Sequence, residues 1–351
     1  MGSRIWESNE EGAKMATSHP QASPILCASF NQDNSYFSIG TRDGFKVFHA
    51  STGRLCYEKS LGAFSIVEML FSSSLLAIVG AGEQPSLSPR RLCLFNKVTG
   101  APFRELNFLT SILAIRVNRK RLIVLLQDKT YIYDLNSLAI LDTIDTVPNA
   151  KGLCAFAPGS EGSYLALPAS TERGSVLIYN TIELSSLCQI DAHRSAITAI
   201  AFCSSGMFLA TASEQGTIIR VHLVSQATKS YSFRRGSLHV FFLGSVINER
   251  SRKPSTLLGS MIPDSFNDAF ESGQHHVIHN VVPVGVKSHA VIYSLDNVEN
   301  TSTTPAIRAC IYIINHNGYF HECTFNVRKS NDTSWSIERE HNLLDAIADN
   351  P

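Results

Sequence analysis

The 351-residue chain has no excess charge of either sign, with 30 Lys and Arg against 30 Asp and Glu. That balance excludes non-specific attachment to nucleic acid through a broad basic face and leaves any anion recognition to local clusters. No run approaches the roughly 18 uninterrupted apolar residues of a membrane-spanning helix. Residues 1–23 are polar and lack the apolar core of a secretion signal. They are expected to be disordered. Met1-Gly2 opens like an acylation signal, but Trp6 stands where that signal needs Ser or Thr, and Met15 offers a second start. No CxxC occurs among Cys27, Cys56, Cys93, Cys154, Cys188, Cys203, Cys310 and Cys323. Most lie inside apolar strand-like runs, so they read as small buried hydrophobes in a reducing compartment rather than a disulfide frame or a zinc site.

Long helical periodicity is also missing. What recurs instead is a unit of short alternating strands: apolar strand, polar turn, second strand, small or polar turn, then a strand ending in an aromatic or apolar pair. The first copy is "ILCASFNQDNSYFSIGTRDGFKVFHASTGRLCYE", Ile25 to Glu58. Copies follow around "SIVEMLFSSSLLAIVGAG", "SILAIRVNRKRLIVLLQDKTYIYD", "GLCAFAPGSEGSYLALPAS" and "SAITAIAFCSSGMFLATASEQGTIIRV", and a last one runs from about Val282 to His341. Four strands in about 40 residues, repeated, mark a β-propeller of WD-repeat type, in which each unit is one blade and buries its faces against its neighbours. An irregular β-sandwich is the competing all-β reading. One interval is short. Gly174 and Gly216 begin equivalent third strands 42 residues apart, but Gly236 opens the next such strand only 20 residues later. About half a unit is absent there.

"KSYSFRRG" ends the fifth unit in the place of its outermost strand. Successive side chains on a strand point to opposite faces, so Arg234 and Arg235 reach different clefts. Two adjacent arginines are most simply a solvated surface pair. Their company argues for more: "DAHRSAITAI" and "LATASEQGTIIRV" supply His193, Ser213, Thr217 and Arg220, read as lying on the same blade. Arginine forks make paired charge-assisted bonds to phosphate, and with an imidazole and small hydroxyls they suit a phosphorylated polyol.

"AHR", "LATASEQGTIIRV" and "FRRG", in this order and spacing, resemble the PROPPIN family, as do "GAGEQPSLSPRRLCLFN" and "LAILDTIDTVPN". The resemblance runs from about Ser23 across nearly the whole chain and is strongest to plant autophagy-related members. It implies an all-β, seven-bladed propeller, here with a truncated sixth blade, over 24–345, between a 1–23 segment and a 346–351 tail. It implies a non-enzymatic, phosphoinositide-binding effector of autophagosome formation that needs no cofactor. The lipid would be phosphatidylinositol 3-phosphate or the 3,5-bisphosphate. The implied partners are phosphoinositide membranes and other autophagy proteins, not nucleic acid. The implied place is the cytoplasm, with peripheral attachment to preautophagosomal, endosomal or vacuolar membranes. Carried over by position, a first head-group site uses His193, Ser213, Thr217, Arg220 and Arg234. A second uses Arg235, Ser237 and His239, and the strands that would complete it are absent. The long sixth-blade loop that enters the bilayer in this family corresponds to 246–274, with Leu257, Leu258, Met261, Ile262, Phe266 and Phe270 as its apolar face. A WD-repeat scaffold with weakened or lost lipid binding is the alternative.

Other signals carry less. Asp191, His193 and Ser195 imitate a catalytic triad in spacing only, with no oxyanion motif beside them. His275, His276 and His279 suggest a metal, but on a strand His276 and His279 face opposite sides. "GAGEQP" lacks the third glycine and following helix of a dinucleotide loop and reads as a blade hairpin. Trp335 reads as packing on a closing outer strand.

Overall fold

The structure, a computed structural model, describes residues 24–159, 163–234, 238–241, 275–278, 282–283, 285–298, 306–327 and 333–346. Every regular element among these residues is a β-strand. The first blade holds β1 to β4 (Cys27–Phe30, Tyr36–Gly40, Gly44–His49, Leu55–Ser60) and the second β5 to β8 (Phe64–Met69, Leu75–Gly80, Arg91–Asn96, Ala101–Asn107). The third holds β9 to β12 (Ala114–Val117, Arg121–Leu125, Lys129–Asp134, Ile140–Asp145) and the fourth β13 to β16 (Ala155–Phe156, Tyr164–Pro168, Gly174–Asn180, Ser185–His193). The fifth holds β17 to β20 (Ile197–Phe202, Phe208–Ser213, Ile218–Leu223, Gln226–Arg234). A two-stranded ribbon follows, β21 with β22 (Leu238–Phe241, His275–Ile278), and then a last blade of β23 to β26 (Ser288–Val298, Ala306–Asn315, Tyr319–Val327, Thr333–Asn342).

The expectation of seven blades is therefore corrected: among the described residues the propeller has six four-stranded blades. The physical reason is chain length. Between Arg234, the end of β20, and Leu238, the start of β21, there are too few residues for two strands and their turns. What forms at that place is a ribbon whose one register runs from Leu238↔Ile278 to Phe241↔His275.

Within each blade the strands pair antiparallel with their sequence neighbours. The middle strands are near-continuous apolar runs because blades pack on both of their faces. "RLIVL" of β10 is buried at four of five positions, whereas "APFRELN" of the outer β8 is exposed almost throughout. The core is thus divided into layers between adjacent blades. Phe45, Phe64, Met69 and Phe95 fill the layer between the first two. Leu92, Leu94, Leu122 and Val124 fill the next. Val176, Ile178, Ile197 and Leu209 join the fourth and fifth blades.

The first and last blades share no strand, so their seam is held by side chains. Phe37 stacks on Phe48 at 5.0 Å and on Phe320 of the last blade at 4.9 Å. Lys46 Nζ donates to the carbonyls of Leu344 and Ala346 at 3.1 and 2.8 Å, and His316 Nδ1 donates to that of Ile25 at 3.0 Å. Trp335, expected to pack, remains 38% exposed on β26.

Candidate functional site

Three of the polar residues singled out from the sequence, His193, Ser213 and Arg220, converge where the fourth blade meets the fifth. The backbone register explains how. Thr211 pairs with Arg220, Arg220 with Ser232, and Ile218 with Arg234. Paired residues share a face, and so do residues two apart on one strand. Positions 211, 213, 218, 220, 232 and 234 therefore belong to one face of the fifth blade. It is the face turned to the fourth, because the Arg220 guanidinium donates through Nη1 to the carbonyl of Ala192 on β16.

His193, the last residue of β16, closes the cleft from the other side. Its place corrects the single-blade reading: the histidine belongs to the fourth blade and the hydroxyls and Arg220 to the fifth. Its Nε2 lies 3.0 Å from Thr211 Oγ1, whose own proton is directed to the Arg220 carbonyl at 3.4 Å. The hydroxyl thus accepts from a ring N–H at Nε2. Gly174 makes this approach feasible: a Cβ there would stand 2.4 Å from His193 Cβ and 2.7 Å from the Ser195 carbonyl. Burial pushes the His193 pKa below its ordinary value, and the Arg220 charge adds to the fall.

Ser213 ends β18 almost fully buried, and its carbonyl accepts from Gly216 N at 2.8 Å. Gly216, at φ +62°, turns the chain so that Thr217 stands exposed just before β19. Lys151 and Glu214 pair at 3.2 Å beside that turn. Among the described side chains the cleft therefore presents the Arg220 guanidinium, the His193 imidazole and the hydroxyls of Thr211 and Ser213, donors suited to phosphate oxygens and sugar hydroxyls.

Of the first-site residues, His193, Ser213 and Arg220 are brought together, Thr217 stands exposed one residue before β19, and the backbone of Arg234 is placed opposite Ile218. Arg235 and Ser237 lie outside the described residues, as do Leu257, Leu258, Met261, Ile262, Phe266 and Phe270. His239 is described through its backbone only, paired with Val277. Asp191 accepts from Ser175 Oγ at 2.6 Å rather than from His193, so the triad-like spacing forms no relay. Two residues were missed. Thr211 was signalled by the alternation of small hydroxyls in "LATAS"; His222, buried on the same face, had no sequence signal that separated it from a core position.

A family pattern described as PROPPIN matches residues 24–250. The chain is similar to autophagy-related protein 18b of Arabidopsis thaliana, 55% identical over 361 aligned positions that span 94% of this chain and 99% of that protein. Those positions outnumber the residues of this chain, so the relative carries residues without a counterpart here. It is also similar to autophagy-related protein 18 of Dictyostelium discoideum, 44% identical over 214 positions, 61% of this chain and 57% of that one. Among solved structures, Kluyveromyces lactis Hsv2 with its complete loop 6CD superposes with a TM-score of 0.69 at 17% identity, over 91% of this chain and 99% of that one. KlAtg21 in complex with the coiled-coil of AgAtg16 gives 0.64 at 19% identity, over 91% and 99%. The two structures share the fold.

Proposed function

The chain belongs to the PROPPIN family and is a homologue of autophagy-related 18 proteins, and on that footing we propose that it is a phosphoinositide-binding peripheral membrane effector in autophagosome formation. The cleft between the fourth and fifth blades takes the head group. Arg220 and the Arg234 position supply charge to the phosphate, His193 and Thr211 line its side, and Ser213 and Thr217 meet the inositol hydroxyls. The observation that carries this reading is that one sheet face gathers Thr211, Ser213, Arg220 and the Arg234 position against His193 of the neighbouring blade. Phosphatidylinositol 3-phosphate is the first ligand to test, and the 3,5-bisphosphate the second. Residues 246–274 supply an apolar segment whose entry into the bilayer would add to head-group contact by effective concentration. The protein acts without catalysis, on the cytoplasmic face of its membrane.

Flotation with vesicles containing phosphatidylinositol 3-phosphate tests it. Wild type is expected to float, and the Arg234→Thr, Arg235→Thr double variant to stay behind. Equal flotation of both overturns the reading.

One observation favours a second reading, a protein-binding scaffold with reduced lipid affinity. Among the described residues a two-stranded ribbon, not a four-stranded blade, stands between the fifth blade and the last, and His239 lies on it. The KlAtg21 structure, with its coiled-coil partner, makes a helical autophagy protein the first partner to test. Inserting two strands between Gly236 and Ser237 separates the readings: a large gain in vesicle affinity identifies the present chain as a scaffold form.

A further inference from the structure

The cleft contains one side chain that the head-group reading does not use. His222 lies two residues along β19 from Arg220, opposite Leu209 on β18 and Ser230 on β20, and so on the same face as Arg220 and Thr211. It is 3% exposed, and neither ring nitrogen has a hydrogen-bond partner among the described residues. A buried polar group without a partner costs stability, so this placement does not help the fold by itself.

Resting on the head-group reading above, we infer that His222 is a working residue of the same site: with His193 it takes up a proton when a phosphomonoester enters the cleft, so that phosphate binding and proton binding are coupled.

The argument is one of charges in a single layer. Arg220 is permanently cationic, and both imidazoles lie beside it. Among the described residues, nothing packed around them offers a free carboxylate. On β16, Asp191 is engaged by Ser175 and held low by that bond, with Arg173 next to it; Arg194 is exposed beyond the strand end. β17 has no titratable side chain, and β18 offers Thr211 and Ser213. In the β18–β19 turn Glu214 pairs with Lys151. On β20 the positions on this face are Ser230, Ser232 and Arg234, which adds a second cation and no acid. With no anion at hand the imidazoles stay neutral. Burial, then His193 and Arg220, push the His222 pKa down to about 4, and His193 is lowered by burial and then by Arg220.

A phosphate dianion against Arg220 reverses the sign of the local field. The imidazole pKa values then rise in the complex, protons are bound on association, and affinity increases as pH falls through the bound-state value. The limit is about tenfold per pH unit for each proton taken up. The ligand's own second ionisation, near about 6, works the other way by keeping free phosphate protonated. The histidine contribution is therefore read as a difference between wild type and a variant.

The experiment uses the full chain and soluble inositol 1,3-bisphosphate. The carbon-bound ring protons are followed by NMR from pH 4 to 8 with and without ligand, and the His222 signal is assigned by its loss in His222→Phe, which keeps the buried volume. The expected result is an upward move of the His222 or His193 midpoint by about one unit or more on ligand addition. Calorimetry in two buffers of different ionisation heat is expected to show more proton uptake by wild type than by His222→Phe. The affinity ratio between pH 5.5 and 7.5 is expected to fall at least about threefold in the variant. Should the variant not fold, the wild-type titration decides alone. Binding with neither midpoint moving upward overturns the coupling and leaves the head-group reading standing. No binding at any pH overturns both.

Discussion

Two seams of this propeller join blades by opposite means. The seam between the last blade and the first is aromatic, with Phe37, Phe48 and Phe320 stacked and Tyr312 fully buried beside them. The seam between the fourth and fifth blades has an apolar floor of Val176, Ile190, Ile197 and Leu209, but its upper layer is polar, with His193, Thr211, Ser213 and Arg220. The first resists separation of two blades that share no strand. The second keeps hydrogen-bond donors in a polar layer, where the proposed function puts an anion. Stability and recognition are thus assigned to different seams, and substitutions distinguish them.

The largest effect is expected at the aromatic seam. Phe320→Ala removes a fully buried ring and should lower unfolding free energy by about 3–5 kcal/mol, measured by urea denaturation. Arg220→Ala should do the reverse in kind: a loss of charge-assisted bonds worth about 1.5–3 kcal/mol, or roughly 10- to 100-fold in vesicle affinity, with a smaller change in the urea midpoint. If Phe320→Ala and Arg220→Ala affect stability and binding alike, the division between seams fails.

Acid comes next. His222 at the polar seam and His289 near the closing seam are both held down to about 4, chiefly by burial; His289 Nε2 lies 3.2 Å from His316 Nε2, and the His316 charge adds to its fall. Folded values below the unfolded ones mean that the unfolded chain binds more protons in between. Stability should therefore be full above the unfolded value of about 6.5 and decline as pH falls toward about 4, by up to about 3 kcal/mol for each imidazole. Urea midpoints across that range measure it, and a flat profile would show the imidazoles to be solvated. The smallest effect is expected for Lys151→Ala, which removes an exposed ion pair with Glu214 beside the site and should change stability by less than about 0.5 kcal/mol.

The blades themselves were readable from the sequence. Short apolar runs set off by polar turns in copies such as "SILAIRVNRKRLIVLLQDKTYIYD" mark β9, β10 and β11 because burial on both faces imposes a local pattern. The number of blades was not. It depends on whether the half unit after Gly236 completes a sheet, which is a question of chain length between distant partners, and the outcome is a ribbon beside six blades. His193, Ser213, Thr217 and Arg220 could be named because their types and spacing carry chemistry. The blade to which His193 belongs could not, since the pairing Gly174↔His193 is set across a sheet. His222 was hidden for a similar reason: its register against Leu209 and Ser230, not its neighbours in sequence, places it beneath the cleft.

The most direct test is a crystal structure with inositol 1,3-bisphosphate. The expected result is a phosphate within hydrogen-bond reach of Arg220 and His193, with Ser213 and Thr217 on ring hydroxyls. A phosphate held elsewhere, with Arg220 still turned to the Ala192 carbonyl and the cleft filled by water, would contradict it.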